Sequence, residues 1–289
     1  MISKISIVIP VYKVEKYIAR ALESCINQTF KDIEIVVVDD FGNDKSIEIA
    51  KEYAKKDERI KIIHNKENLG TFASRNNGAK YSTGEFLMFL DPDDYLELDA
   101  CEQLMLLGNT YKMCQFSFVE VDGDVKSKSI FKDTFKNLKN FKGIYWNIWT
   151  LFVKKDFYLQ SLKELFTIDK KLLIAEDMLV FFFLINNVKD DEYLQVDLHL
   201  YNYINNFSSI TKRQKSDKQI QNCLEDYFYI LKYIKENKNL KNNLRLYALI
   251  YLQIDILKFL FKNKKISYFK YKFLKKIYKI KIIFYKIIF

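Results

Sequence analysis

The chain reads Ile5-Ser6-Ile7-Val8-Ile9-Pro10-Val11-Tyr12 near its start and Ile33-Glu34-Ile35-Val36-Val37-Val38-Asp39-Asp40 one helix-length later. The first run, from Lys4 to Val11, is β-branched and closed by a proline; the second is purely apolar up to Val38 except for Glu34. Runs this short and this apolar predict strands buried on both faces. Between them Val14, Ile18, Leu22 and Ile26 recur every four residues, one apolar face of a helix. Further on, Asp44 can cap a helix running through Lys56, and Ile60 to His64 predicts a third strand. Phe86 to Leu90 predicts a fourth, after a helix-and-turn segment from Gly70 to Gly84. Such alternation, with nearly continuous apolar strands, predicts an α/β fold: a mainly parallel sheet flanked by helices on both faces.

In a sheet of this kind ligands bind beyond the carboxyl ends of the strands, and each predicted strand ends in something polar. The ends are Pro10-Val11-Tyr12, Asp39-Asp40, His64-Asn65 and Asp91-Pro92-Asp93-Asp94. Carboxylates gathered on one edge repel unless a cation or ligand donors collect them. Two acidic doublets therefore imply a polar ligand and a divalent metal. The competing reading is helix N-capping, for which Asp40, Asp44 and Asp94 are all placed. With only His64 and His199 as imidazoles, any metal ligands are mostly oxygen, which points to Mg²⁺ or Mn²⁺.

Composition narrows the class. The 289 residues are 49% hydrophobic and 16% aromatic, which excludes a disordered chain. The four cysteines make no C-x-x-C spacing and no secretory signal precedes Ile5, so a reducing cytosol is expected. No G-x-G-x-x-G or P-loop pattern is present to cradle a dinucleotide or NTP. The net charge of +10 is unevenly spread: Ile256 to Phe289 holds eleven lysines and no acid, leaving 36 basic against 37 acidic side chains, a net of −1, in residues 1–255. In that tail Phe269, Phe273, Ile277, Ile280 and Phe284 can form one helical face flanked by Lys272, Lys275, Lys279 and Lys286. A basic amphipathic helix of this kind reads as lying on an anionic membrane surface. A helix packed on the body is the alternative. With a neutral body and no nucleic-acid motif, no nucleic-acid partner is expected.

The second half is less regular. Met113 to Val121 predicts a strand turned at Asp122-Gly123, Glu176 to Asn187 a helix, Tyr193 to Ile204 an extended segment, and Ser216 onward helices. A boundary is expected near residue 215.

Taken together, Ile7-Val8-Ile9-Pro10-Val11-Tyr12, Val37-Val38-Asp39-Asp40, Asn68-Leu69-Gly70 with Ser74-Arg75-Asn76, and Leu90-Asp91-Pro92-Asp93-Asp94 resemble family 2 glycosyltransferases over roughly residues 3–210. The Ser24 to Phe30 and Asn68 to Asn76 stretches look especially like bacterial lipooligosaccharide β-1,3-galactosyltransferases. The resemblance implies a GT-A nucleotide-sugar-binding fold: a catalytic domain over 1–215, with its nucleotide half about 1–100 and its acceptor half about 101–215. A helical region over 216–289 would follow, with the membrane-associating tail at 256–289. It implies a UDP-sugar donor, with Pro10, Val11, Tyr12 and Glu15 framing the uracil, Asp39 or Asp40 accepting its N3 hydrogen, and Asn68 also on the donor side. Arg75 would lie near the uracil or diphosphate.

Within that resemblance Asp91 and Asp93 fill the D-x-D slot that holds the ribose and a Mn²⁺ or Mg²⁺ bridging the phosphates. Asp94 either extends this cluster or caps a helix from Leu96 to Leu107. Glu176-Asp177 matches the family's acidic pair, with Asp177 as the base of an inverting transfer; capping or a salt bridge is the alternative. Many relatives carry a histidine that can ligate the metal or touch the diphosphate where this chain has Asn206, whose side-chain oxygen would be a weaker metal ligand. Metal binding would then rest mainly on Asp93 and the diphosphate, with Asp91 and Asn206 as further candidates and Lys212 or Arg213 sharing the anion. Trp146, Trp149, Tyr145 and Tyr158 are candidates for an acceptor platform or for core packing, and His199 is expected to be structural. The implied reaction moves a hexose, galactose from UDP-galactose foremost, onto a lipid-linked oligosaccharide of the cell envelope at the cytoplasmic face of the inner membrane. UDP-GalNAc, UDP-GlcNAc or UDP-glucose donors for capsule or another polysaccharide are the alternative, as is a non-catalytic adaptor on the same fold.

Overall fold

The computed structural model describes residues 4–129, 145–205, 215–267 and 270–271. The four apolar runs are strands β1 (Ile5–Val11), β2 (Ile33–Asp39), β3 (Ile60–His64) and β4 (Phe86–Phe89), parallel to one another in the order β3-β2-β1-β4. Their unbroken apolarity has a simple cause: successive side chains point to opposite faces and both faces are covered. Val8, Val36 and Val38 enter one core, whereas Ile7, Ile9, Ile35 and Val37 enter the other. The register sets Val11 beside Asp39 and Asp39 beside His64, so the polar strand ends stand level at one edge.

Helices α1 (Ile18–Ile26) and α2 (Ser46–Ala54) follow β1 and β2, and α3 (Thr71–Tyr81) follows β3. The first helix begins later than its apolar spacing suggests. Val14 instead heads a turn, its carbonyl accepting Tyr17 N while its own N–H goes to Ser46 Oγ. Helix α3 lies close against the sheet because Gly78 has no side chain: a Cβ there would collide with Val8 and Val38.

Beyond β4 the sheet continues through β5 (Tyr95–Leu96), β6 (Met113–Asp122), β7 (Val125–Lys128), β8 (Leu151–Lys154) and β9 (Tyr193–Ile204). The full order is β3-β2-β1-β4-β8-β6-β9-β5, with β7 paired to β6. β8 runs antiparallel to both β4 and β6, while β6 and β9 are parallel. The helix expected from Leu96 starts only at α4 (Ala100–Gly108), because Tyr95 and Leu96 are drawn into pairing with Asn202 and Tyr201 of β9.

Helices α5 (Lys155–Ser161), α6 (Glu176–Asn187), α7 (Asp217–Glu236) and α8 (Asn242–Lys262) complete the described fold. Ser216 opens α7 with a reciprocal cap, its Oγ accepting Gln219 N while the Gln219 side chain accepts Ser216 N. Ile220, Cys223, Tyr227 and Ile230 of α7 and Ala248, Leu252, Ile256 and Phe259 of α8 share one core with α6 and the sheet. The tail expected from Ile256 therefore starts too early: Ile256, Leu257 and Phe259 are buried, since they continue the inward stripe of α8. Phe269, Phe273, Ile277, Ile280 and Phe284 lie outside the described residues, as do Lys272, Lys275, Lys279 and Lys286.

Candidate active site

At the edge where β1 to β4 end, Tyr12 is 41% exposed and Lys13 takes a left-handed backbone, φ 56°. Glu15 is stitched to the loop after β2: its carboxylate accepts Lys45 N at 3.0 Å and its own N–H goes to Asp44 Oδ2 at 3.0 Å. The two acids of Asp39-Asp40 have different duties. Asp40 is buried, and its oxygens accept Asn65 Nδ2 at 2.9 Å, Leu69 N at 2.8 Å and Gly70 N at 2.9 Å. Those bonds fix the Asn68-Leu69-Gly70 turn, where Gly70 has φ 87°. Asp39, partly buried, accepts Phe41 N at 3.0 Å and Gly42 N at 3.4 Å through Oδ1 and faces His64 Nδ1 at 2.8 Å through Oδ2. Asn68 accepts the ammonium of Lys171 through both its backbone and side-chain oxygens.

Arg75 joins the sites at the strand edge to the second half of the chain. It is 5% exposed on α3, and Nη2 donates to Asp91 Oδ1 at 2.6 Å while Nη1 donates to Asp177 Oδ1 at 2.5 Å. Its Nε is buried with no acceptor among the described residues. Burial alone would lower the proton affinity of the guanidinium, but Asp177, Asp91 and Glu176 outweigh it and raise it. Asp177 also accepts a long bond from Ile148 N, and the residue before the acidic pair, Ala175, has φ 63°. A non-glycine residue in that region is strained and is held there by its surroundings. Burial raises the carboxyl of Asp177 above its ordinary range despite Arg75, and burial with the charge of Asp177 pushes Glu176 up to about 7.

The Asp91 to Asp94 loop is tied down on its far side. Tyr201 Oη accepts Asp91 N at 3.1 Å and donates to Asp94 Oδ2 at 2.8 Å, and Asp94 Oδ1 accepts Ile204 N at 2.7 Å. Asp94 is thus no helix cap; α4 begins after Asp99, and Asp94 is buried because β9 passes over it. Burial, then Asp93 and Asp91, hold its carboxyl well above the carboxylate range. Asp93 stands half-buried between them, its carbonyl accepting Arg20 Nη2 at 2.5 Å.

No cluster of three or more histidine, cysteine or acidic side chains suited to a metal occurs among the described residues. Asp94 is committed to Tyr201 and Ile204, and one oxygen of Asp91 to Arg75. A donor set this small suits an ion such as Mg²⁺, which takes one or two carboxylates and completes its shell with substrate phosphates and water. Asn206, Lys212 and Arg213 lie outside the described residues.

Of the aromatic candidates, Trp149 belongs to the core, stacked on Tyr201 at 4.5 Å and Tyr203 at 5.5 Å between ring centroids. Tyr158 is buried and donates to Asn76 Oδ1 at 2.9 Å, while Trp146 packs edge-on against Tyr251 of α8 at 5.8 Å. Tyr145 is 40% exposed. His199 Nε2 meets Ser129 O at 3.0 Å, a structural contact. Tyr201 and Lys171 carry no motif; only their partners across the fold single them out.

A parallel sheet edge, an acidic strand-end loop and a helix-opening acidic pair joined by one arginine form the candidate site of a GT-A-like fold. The sequence profile of glycosyl transferase family 2 matches residues 6–161, and the chain belongs to that family. It is 37% identical over 156 residues to the glycosyltransferase GlyA of Streptococcus pneumoniae serotype 4, a match covering 49% of this chain and 22% of that protein. It is 39% identical over 139 residues to the poly(ribitol-phosphate) beta-glucosyltransferase of Bacillus spizizenii, covering 45% and 22%. The matches thus span less than a quarter of either relative's length. The fold is similar to that of S. aureus TarS 1–349 in complex with UDP-GlcNAc, with a TM-score of 0.67 and 22% identity over 90% of this chain and 73% of that one. No helix among the described residues is long and apolar enough to cross a membrane.

Proposed function

We propose that the chain is an inverting transferase that moves a hexose from a UDP-sugar, UDP-galactose foremost, onto a lipid-linked glycan of the cell envelope. The observation that carries this reading is the buried Asp91–Arg75–Asp177 chain, which brings the D-x-D loop and the acidic pair to one place. A relative that glucosylates poly(ribitol-phosphate), and a fold neighbour that binds UDP-GlcNAc, support an envelope polymer and a uridine nucleotide as the substrate classes.

In this reading the uracil lies against Pro10, Val11, Tyr12 and Glu15, with Asp39 accepting its N3 hydrogen. Asp39 is the better candidate of the doublet because it is partly exposed, whereas Asp40 is buried behind the Asn68 to Gly70 turn. Arg75 holds Asp91 and Asp177 in place and keeps a positive charge beside the donor's diphosphate. Asp177 takes the proton of the acceptor hydroxyl as that oxygen attacks the anomeric carbon, and the sugar–phosphate bond breaks with its electron pair leaving on UDP. Its raised proton affinity improves it as a base. Asp93, with the second oxygen of Asp91, would hold Mn²⁺ or Mg²⁺, which neutralises charge on the leaving diphosphate. The basic tail would keep the enzyme against its acceptor at the cytoplasmic membrane face.

A screen of UDP-sugars for hydrolysis and thermal stabilisation, with and without Mn²⁺, tests the reading. One donor should be hydrolysed in a metal-dependent way. Asp177→Asn should bind UDP as the wild type does while turnover falls on the order of 10²–10⁴-fold. Stabilisation by no UDP-sugar would point instead to a non-catalytic adaptor.

A further inference from the structure

The segment that delivers Asp177 has little regular structure of its own. Residues 168–175 run without helix or strand from the short turn at Leu165–Thr167 to α6, and end at the left-handed Ala175. A strained residue directly ahead of a reacting carboxylate keeps its conformation only if the loop before it is fixed from outside. On one side Lys171 grips Asn68, and Leu172 is buried. The other side is held by a residue that no motif marks.

Asp226, in the middle of α7, is 2% exposed among core residues. Its Oδ2 accepts Leu173 N at 2.7 Å and its Oδ1 pairs with the Lys170 ammonium at 2.8 Å. A buried carboxylate with one oxygen on a backbone amide and the other on an ammonium is satisfied only while the loop stands where it does. The helix behind it is itself anchored, since the neighbouring Tyr227 donates to Asp255 of α8 at 2.7 Å. This part of α7 packs with the helix that carries the acidic pair, Tyr227 and Ile230 sharing one core with Met178 and Leu179.

We propose that Asp226 is a positioning residue for transfer: it anchors loop 170–173 and thereby sets where Asp177 stands. The C-terminal helices are then part of the catalytic apparatus, although the family profile ends at residue 161. The inference rests on the assignment of Asp177 as the base.

The test uses the full chain and the donor identified in the screen. Asp226→Leu removes both contacts; a misplacement near 1 Å at a reacting group can cost on the order of 100-fold. Its kcat should fall by about that much with donor KM and UDP affinity within about threefold of wild type. Asp226→Asn keeps an acceptor for Leu173 N and should restore turnover to within about threefold, a rescue that loss of general stability would not produce. Wild-type kcat in folded Asp226→Leu, or equal loss in kcat and UDP affinity, overturns the proposal. Should the leucine variant not fold, Asp226→Glu decides, because it keeps the charge but moves the carboxylate by one methylene. A roughly tenfold lower kcat with UDP binding intact upholds the proposal, and unchanged kcat overturns it. If the wild type turns over no UDP-sugar, the functional reading has failed by itself. Hydrogen exchange of residues 168–177 then reads the anchor: protection lost in the Asp226→Leu or Asp226→Glu variant upholds it, and protection retained overturns it.

Discussion

A carboxylate beside a guanidinium ordinarily gives up its proton more easily. Asp177 does the reverse, because burial and the negative charge of Asp91 outweigh its contact with Arg75. Glu176 is displaced further, to about 7 from 4.5. A carboxyl that binds its proton more tightly folded than unfolded favours the fold at low pH, and that contribution is lost as pH rises from about 4.5 to about 7. Glu176→Gln, neutral throughout, should therefore be more stable than wild type at pH 8 by on the order of 1–3 kcal/mol and equal to it near pH 4. Denaturant titrations at the two pH values check this. Asp39, Asp40 and Asp91 were legible as candidates because acids after apolar strands are a local pattern, whereas Asp177 was marked by the resemblance of Glu176-Asp177 to the family's acidic pair. Which acids the fold buries was not legible. Asp40 and Asp94 look in sequence like Asp39 and Asp93, yet both are buried, whereas Asp39 and Asp93 are only partly so.

At the scale of elements, α3 shows how a close approach creates the site. Val8 and Val38 project into the space a side chain at Gly78 would need, and the resulting fit keeps α3, which carries Arg75, against the sheet. Gly78→Ala should cost about 1–3 kcal/mol through overpacking, read as a lower denaturant midpoint, and should weaken UDP binding as the helix is pushed outward. Strand β9 makes a second contribution. Its pairing with β6 slips between Phe116 and Phe118, so that Val196 and His199 lie opposite consecutive residues. That irregularity places Tyr201 and Ile204 over Asp94. The segment from Tyr193 to Ile204 is recognisable as extended, but a bulge depends on a partner strand that is distant in sequence, so its register could not be read locally.

For the whole molecule, the basic segment counted from Ile256 overlaps the packed body at its start. Helix α8 continues inward through Ile256, Leu257 and Phe259, and each large apolar side chain removed from a core forfeits roughly 1.5–3 kcal/mol. Deleting residues 256–289 should therefore destabilise the body. If the proposed membrane contact holds, deleting 272–289 should weaken binding to anionic vesicles more than activity on a soluble acceptor; equal vesicle binding by that shorter deletion would refute the contact. By itself the sequence determined the α/β alternation, the parallel strands and the polar edge at their ends, because these follow from periodicity and turn chemistry among near neighbours. Only the tertiary structure decided that Arg75 would meet both Asp91 and Asp177, and that Asp226 would hold the loop before Asp177. Those contacts join residues 102 and 53 positions apart. Nothing local records such a meeting: the partners find each other only when the two halves close on a shared core, and burial then turns ordinary acids and bases into a site.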